Sequence, residues 1–208
     1  MKLLRLLGPW YRGFLFFSLV LFGSGQLHAT AIRQVNLEEM LRQSELVFDG
    51  VVVNTEVKEN AYGRLATEIT FKVIDVLKGD PGGSTITLVF MGGTKDGKTL
   101  KVGEMDYPAI GERGIYFVES LKRRLVNPLF GWSQGRFLVI KDEDGTHRVY
   151  TAQKTPVTGL ISSPIPPSRQ FSRGVAQGVQ TSKQALTKNA LSIQQFKRQL
   201  KEKWETIQ

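Results

Sequence analysis

Between Leu46 and Tyr150 the chain reads as a series of β-prone runs cut by glycine turns, with no long helical period between them. Leu46–Val53 is rich in β-branched and aromatic residues, and Gly50 inside it signals a bulge or a close backbone approach. From Thr67 to Lys78 residues alternate. Thr67, Ile69, Phe71, Val73, Asp75 and Leu77 fall on one side, and the other side is polar at first and apolar later. That pattern predicts a strand with one exposed face early and both faces buried near its end. Lys78-Gly79-Asp80-Pro81-Gly82-Gly83 stops it. Thr85–Phe90, Gly114–Glu119, Arg136–Ile140 and His147–Tyr150 read as further strands, the last two joined through Asp142-Glu143-Asp144-Gly145. Five to six strands without an intervening long helix predict a mainly β fold, an antiparallel barrel or sandwich.

Helices are expected only outside this region. Asn36-Leu37-Glu38-Glu39 places a capping side chain three residues ahead of a glutamate, with Val35 and Met40 at staple positions, so a short helix should start there and end near Gln43 or Ser44. Residues 154–190 hold Pro156, Pro164, Pro166 and Pro167 with many Ser, Gln, Gly and Thr, and read as a linker or wrap. Ser192 and Gln195 then form a second capping box, and residues 191–208 read as an amphipathic helix. Ile193, Phe196, Leu200 and Trp204 make one stripe, continued by Ile207, while Lys197, Arg198, Lys201 and Lys203 lie opposite. The stripe suits docking on the β domain, 30–153, or contact with a partner or membrane surface.

Residues 1–29 have the layout of a secretory signal peptide. Lys2, Arg5 and Arg12 come first, an apolar run from Phe14 to Phe22 follows, and small residues offer cleavage after Ala29 or Ala31. The apolar run is too short to span a bilayer, which needs about 20 residues. The expected location is periplasmic or secreted, with no transmembrane segment after cleavage. Cleavage removes three cations and lowers the formal net charge from +9 to +6. There is no cysteine, which excludes disulfides, lipidation at a cysteine and thiol catalysis, so stability must come from an apolar core. The remaining positive charge is ordinary solubility charge or suits an anionic envelope component; the expected partner is a protein or such a component, and export excludes nucleic acid.

Three segments carry a family resemblance. They are Ser44–Val52 after the Asn36–Glu39 cap, Thr67–Gly79 with its Leu77-Lys78-Gly79 ending, and Gly111-Glu112-Arg113 running to Val118. Together they resemble a group of exported bacterial proteins. More distantly they are similar to netrin/TIMP-like OB-fold modules, over roughly residues 35–140. The resemblance implies an OB-like barrel, with the two helices added at its ends. It also suggests an inhibitor or modulator of an exported protease. In inhibitors of the TIMP class an N-terminal cysteine meets the protease zinc, whereas the new N-terminus here is Thr30 or Ile32.

Candidate chemistry is sparse. His147 is the only histidine after the leader, so a His/Cys zinc site cannot be built and no cofactor is implied. No Gly-x-Ser-x-Gly elbow accompanies it. Asp142–Thr146 begins like a calcium loop but lacks the downstream glutamate, and a hairpin turn accounts for it. Gly79–Thr85 lacks a phosphate-binding lysine and reads as a turn. A carboxylate-based hydrolase stays open, with no pair singled out. The pattern favours a non-enzymatic binding protein. Its expected contact surface is Lys122, Arg123 and Arg124 with Phe130, Trp132 and Arg136, a mixture of cations and aromatics typical of recognition loops. The competing reading has Phe130 and Trp132 plugging the end of the β domain.

Overall fold

In the computed structural model the described residues are 32–167, 169–182 and 189–207. The expected leader and both expected cleavage points, after Ala29 and Ala31, lie outside them. The elements are α1 (Leu37–Gln43), β1 (Leu46–Glu59), β2 (Leu65–Lys78), β3 (Thr85–Met91), β4 (Gly93–Lys95), β5 (Lys98–Leu100), β6 (Arg113–Val118), β7 (Arg136–Lys141), β8 (His147–Thr151), β9 (Val157–Leu160), β10 (Val179–Thr181) and α2 (Ile193–Ile207), with a 3₁₀ turn at Trp132–Gly135. No helix among these residues is long and apolar enough to cross a membrane.

The main sheet is antiparallel and six-stranded, in the order β3-β2-β1-β6-β7-β8. It does not close into a barrel among the described residues, because β3 and β8 end it without pairing to each other. Over its β1, β6 and β7 part the sheet buries both faces. Val47, Ile115, Phe117, Phe137, Val139 and Val149 point to one face and pack against Leu37, Met40 and Leu41 of α1 and Ile193, Phe196 and Leu200 of α2. Leu46, Phe48, Ile69, Phe71, Phe90, Tyr116 and Val118 point to the other, covered by Leu129, Met105 and Tyr107. Phe48, Phe71 and Tyr116 form an aromatic knot there, with centroids 4.7–5.5 Å apart.

The late half of β2 departs from the alternation expected for it. Asp49 pairs with Asp75 and Gly50 with Val73, so Ile74 is an extra residue bulged out of the ladder, and a second shift leaves out Leu77. Each bulge reverses which face a side chain meets. Asp75 therefore joins Asp49 on the α2 face, Leu77 packs beside α2, and Ile74 and Val76 are exposed rather than buried. Gly50 permits the bend, since a Cβ there would stand 2.7 Å from the Phe48 ring and 3.0 Å from the Lys72 carbonyl.

Both helix starts form as their sequences imply. Asn36 caps α1 by accepting from the Glu39 amide at 2.7 Å, while the Glu39 carboxylate turns instead to Arg33. At α2 the capping box is complete: Ser192 Oγ accepts from Gln195 N at 3.2 Å, and Gln195 Oε1 accepts from Ser192 N at 2.8 Å. The stretch expected to be a linker is in large part structure. Thr155 and Pro156 pair with β8, β9 and β10 pair with each other, and Arg33 and Asn36 form bridges to Phe171 and Gln177. Sparse apolar residues sufficed because Val157 and Ala176 are fully committed to the core.

Candidate functional site

The structure separates the residues of the expected contact surface. Phe130 is 5% exposed and belongs to the core beside α1. Arg136 is also 5% exposed: its Nε donates to Glu112 Oε1 at 2.9 Å, its Nη2 to Glu112 Oε2, and its Nη1 lies 2.9 Å from Asp106. Tyr116 donates its hydroxyl to the same Glu112 at 3.0 Å, and burial together with that carboxylate pushes its phenol far above the usual range. Trp132 is half-buried, with a left-handed backbone at φ 61°, next to Gly131 at φ 65°. A Cβ on Gly131 would stand 2.8 Å from Val35, so this corner is packed against the N-terminal segment. Gln134 locks it. Its amide accepts from Val35 N and Gln34 Nε2 and donates to the carbonyls of Arg33 and Gly131. Phe130 is thus a core residue, and Arg136 ties the start of β7 to Glu112 just ahead of β6.

Lys122, Arg123 and Arg124 remain on the surface, on a loop between β6 and the buried Asn127-Pro128. Exposed apolar residues flank them, Leu121 and Val126, each at 39%. The loop is held at both stems. Glu45 accepts from the Leu121 amide at 2.8 Å and from Ser120 Oγ at 2.9 Å. Those two bonds, the Leu121 one first, hold the Glu45 carboxyl below the usual glutamate range. Ser120 Oγ accepts in turn from Lys122 N and Arg123 N, Glu119 N donates to Pro128 O, and Met91 N donates to Val126 O. Arg123 pairs with Glu119 at 2.7 Å, whereas Lys122 and Arg124 have no ion-pair partner among the described residues.

A groove of about 320 Å³ lies where α2 crosses the end of β2, lined by Leu41, Val47, Leu77, Leu200 and Trp204 with Lys78, Lys197 and Asp75. Three of its charged groups, Lys78, Lys197 and Asp75, are engaged, while Lys201 and Glu205 at its rim have no ion-pair partner among the described residues. Lys78 Nζ donates to the α1 carbonyls of Leu41 and Arg42 at 2.7 and 2.8 Å and sits 4.4 Å from the Trp204 ring centre. Burial holds this lysine below its usual range. Lys197 bridges Asp49 at 2.7 Å and Asp75 at 2.8 Å, and Arg113 grips Asp49 through both carboxylate oxygens. Burial opposes the charge on Asp49, but the bonds from Arg113 and Lys197 outweigh it and keep its carboxyl below the usual aspartate range. The stripe Ile193, Phe196 and Leu200 is buried and Trp204 half-buried, so this seam docks the helix.

Sequence reasoning missed Asp49, Glu112 and their partners. A charged residue inside the apolar run Leu46–Val53 was a signal that a counter-charge must exist. Its lysine, however, is 148 positions away. The Asp142–Gly145 segment is a hairpin turn, with Asp142 and Asp144 each paired to Arg148 at 2.7 Å. His147 is half-buried on β8. Among the described residues no group of three or more His, Cys, Asp or Glu is placed to hold a metal ion. No known protein family, curated protein or solved structure matches the chain.

Proposed function

We propose that the protein is exported by its N-terminal leader and acts as a non-enzymatic binding protein of the bacterial envelope, holding an anionic component on the Glu119–Val126 loop. The observation that carries this reading is a loop fixed at both stems that presents Lys122 and Arg124, without ion-pair partners among the described residues, between exposed Leu121 and Val126. Cations flanked by apolar side chains match an anionic lipid surface, where the charges meet phosphates and the apolar groups enter the boundary layer. Binding is favoured over carboxylate hydrolysis because the buried carboxylates of Asp49 and Glu112 are each saturated by an arginine. An OB-like ancestry is part of the proposal, supported by a long, bulged β1 that pairs along its length with β2 and at its start with β6.

Co-sedimentation with vesicles tests the reading. Phosphatidylglycerol-containing vesicles should retain the protein and pure phosphatidylcholine vesicles should not, with retention falling as salt is raised. Replacing Lys122, Arg123 and Arg124 together by alanine should weaken retention by at least about tenfold. Equal retention of the triple variant, or none of the wild type, would show that this loop is not the contact surface.

A further inference from the structure

The two edges of the main sheet are finished differently. The outer edge of β8 is closed by the chain itself: Val149 N donates to Leu191 O and Thr151 N to Thr155 O, both at 2.9 Å, and Arg148 and Tyr150 form bridges to Ser192 and Pro156. On β3 the even-numbered residues turn their backbone groups to β2, as the flanking bonds Val73 N to Ser84 O and Gly92 N to Leu65 O show. Odd-numbered residues turn theirs outward. Met91 is covered, since its amide donates to Val126 O and its carbonyl accepts from Tyr107 at 2.8 Å. Thr85, Thr87 and Val89 have no backbone partner on that side among the described residues, and all three are exposed, Val89 at 47%.

Open edges of this kind are normally blunted by lysine, proline or a bulge. Here the chain carries no charge from Pro81 to Thr94, although Asp80 and Lys95 bound the stretch. β3 also pairs with β2 in unbroken register, without a bulge.

We infer that the β3 edge is a strand-addition surface for a second copy of this chain, joined antiparallel about a two-fold axis at Thr87. In that register Thr87 faces Thr87 of the second copy, and Thr85 faces Val89 of the second copy. The outward N–H and C=O groups of all three residues are then satisfied reciprocally. Ile86 meets Leu88 of the second copy on the aromatic face, extending that apolar layer across the axis, and β-branched pairs are favourable neighbours across strands. Charge also selects this edge. Two copies of a basic chain repel over most of their surface, and the neutral β3 strip is where they can approach without opposed cations. The inference does not depend on the lipid-binding loop.

Sedimentation equilibrium of the purified protein tests it. The wild type should show a monomer–dimer equilibrium, and the amides of Thr85, Thr87 and Val89 should gain hydrogen-exchange protection as concentration rises. Thr87→Lys and Val89→Lys place opposed cations near the axis on solvent-facing side chains, and should be monomeric where the wild type is dimeric, with a melting temperature that matches the wild type's at dilutions where both are monomeric. Thr87→Pro removes one outward N–H without touching a backbone bond to β2, losing only the exposed hydroxyl contact of Thr87 with Thr70 at 2.9 Å, and should behave alike. If it fails to fold, the two lysine variants decide. A wild type monomeric at all concentrations, or a dimer surviving both lysine variants, overturns the inference.

Discussion

Asp49 joins three parts of the chain through one carboxylate. Its side chain is wholly buried on β1, and it is held by Arg113 on β6 and Lys197 on α2, whose side chains are 24% and 21% exposed. Removing it leaves Arg113 without its counter-charge and Lys197 with only the exposed Asp75, a larger loss than the net value of the pairs themselves. Asp49→Ala should lower the unfolding free energy by about 2–3 kcal/mol, discounted from the fully buried case for the partial exposure of both cations. Asp75→Ala, at a 53% exposed carboxylate that shares the same lysine, should cost well under about 1 kcal/mol. Urea denaturation of the two variants gives the comparison, and equal losses would mean that Asp49 is not the anchor. The pH dependence follows from the lowered carboxyl of Asp49. The folded state releases this proton more readily than the unfolded chain. The stabilisation is therefore complete above the ordinary aspartate pKa of about 3.9 and is lost as pH falls through the lower folded value. Asp49→Ala should flatten the stability profile in that acid window.

At the scale of elements, α2 is the clearest case of sequence dictating contact. Phe196 is fully buried and lies 5.0 Å from the Phe137 ring centre, whereas Trp204 borders the groove over Lys78. Phe196→Ala should cost about 3–5 kcal/mol through lost burial and a residual cavity. Trp204→Ala should cost markedly less, since the tryptophan is only half-buried, and thermal melts of the pair would show whether the stripe is graded in this way. The stripe, both caps and most of the main-sheet strands were legible because each depends on neighbours within a few positions, although β1 runs on from the expected Val53 to Glu59. The bulges of β2 were not, because nothing near Ile74 announces that the partner strand skips it. The assignment of Phe130 and Arg136 to a surface failed for the same kind of reason. Aromatic and basic composition suggests recognition, but which side of β7 faces Glu112 is decided by register with β6. The wrap was obscured by its composition, as strands of only three or four residues leave no period to read.

Across the whole molecule, one face of the sheet is assembled from segments that never meet along the chain. Val35 and α1 come from its beginning, β6, β7 and β8 from the middle, Val157 and Ala176 from the wrap, and α2 from the end. Such a face carries little stability until its last contributor arrives, because the apolar surface of Val47, Phe137 and Val149 faces water without α2. The segment also does more than cover. Leu191 closes the edge of β8, Lys197 neutralises Asp49, and Gln199 accepts from the amide of Leu160 at the start of the wrap. A chain ending after Asn189 should therefore lose cooperative unfolding rather than merely melt earlier. Its strand signal in far-ultraviolet circular dichroism should persist, since the aromatic face formed by Phe48, Phe71 and Tyr116 is independent of α2. Near-ultraviolet signal should fall and a hydrophobic dye should bind. A sharp thermal transition close to that of the full chain would instead show that the sheet and its aromatic face fold as a unit without the helix.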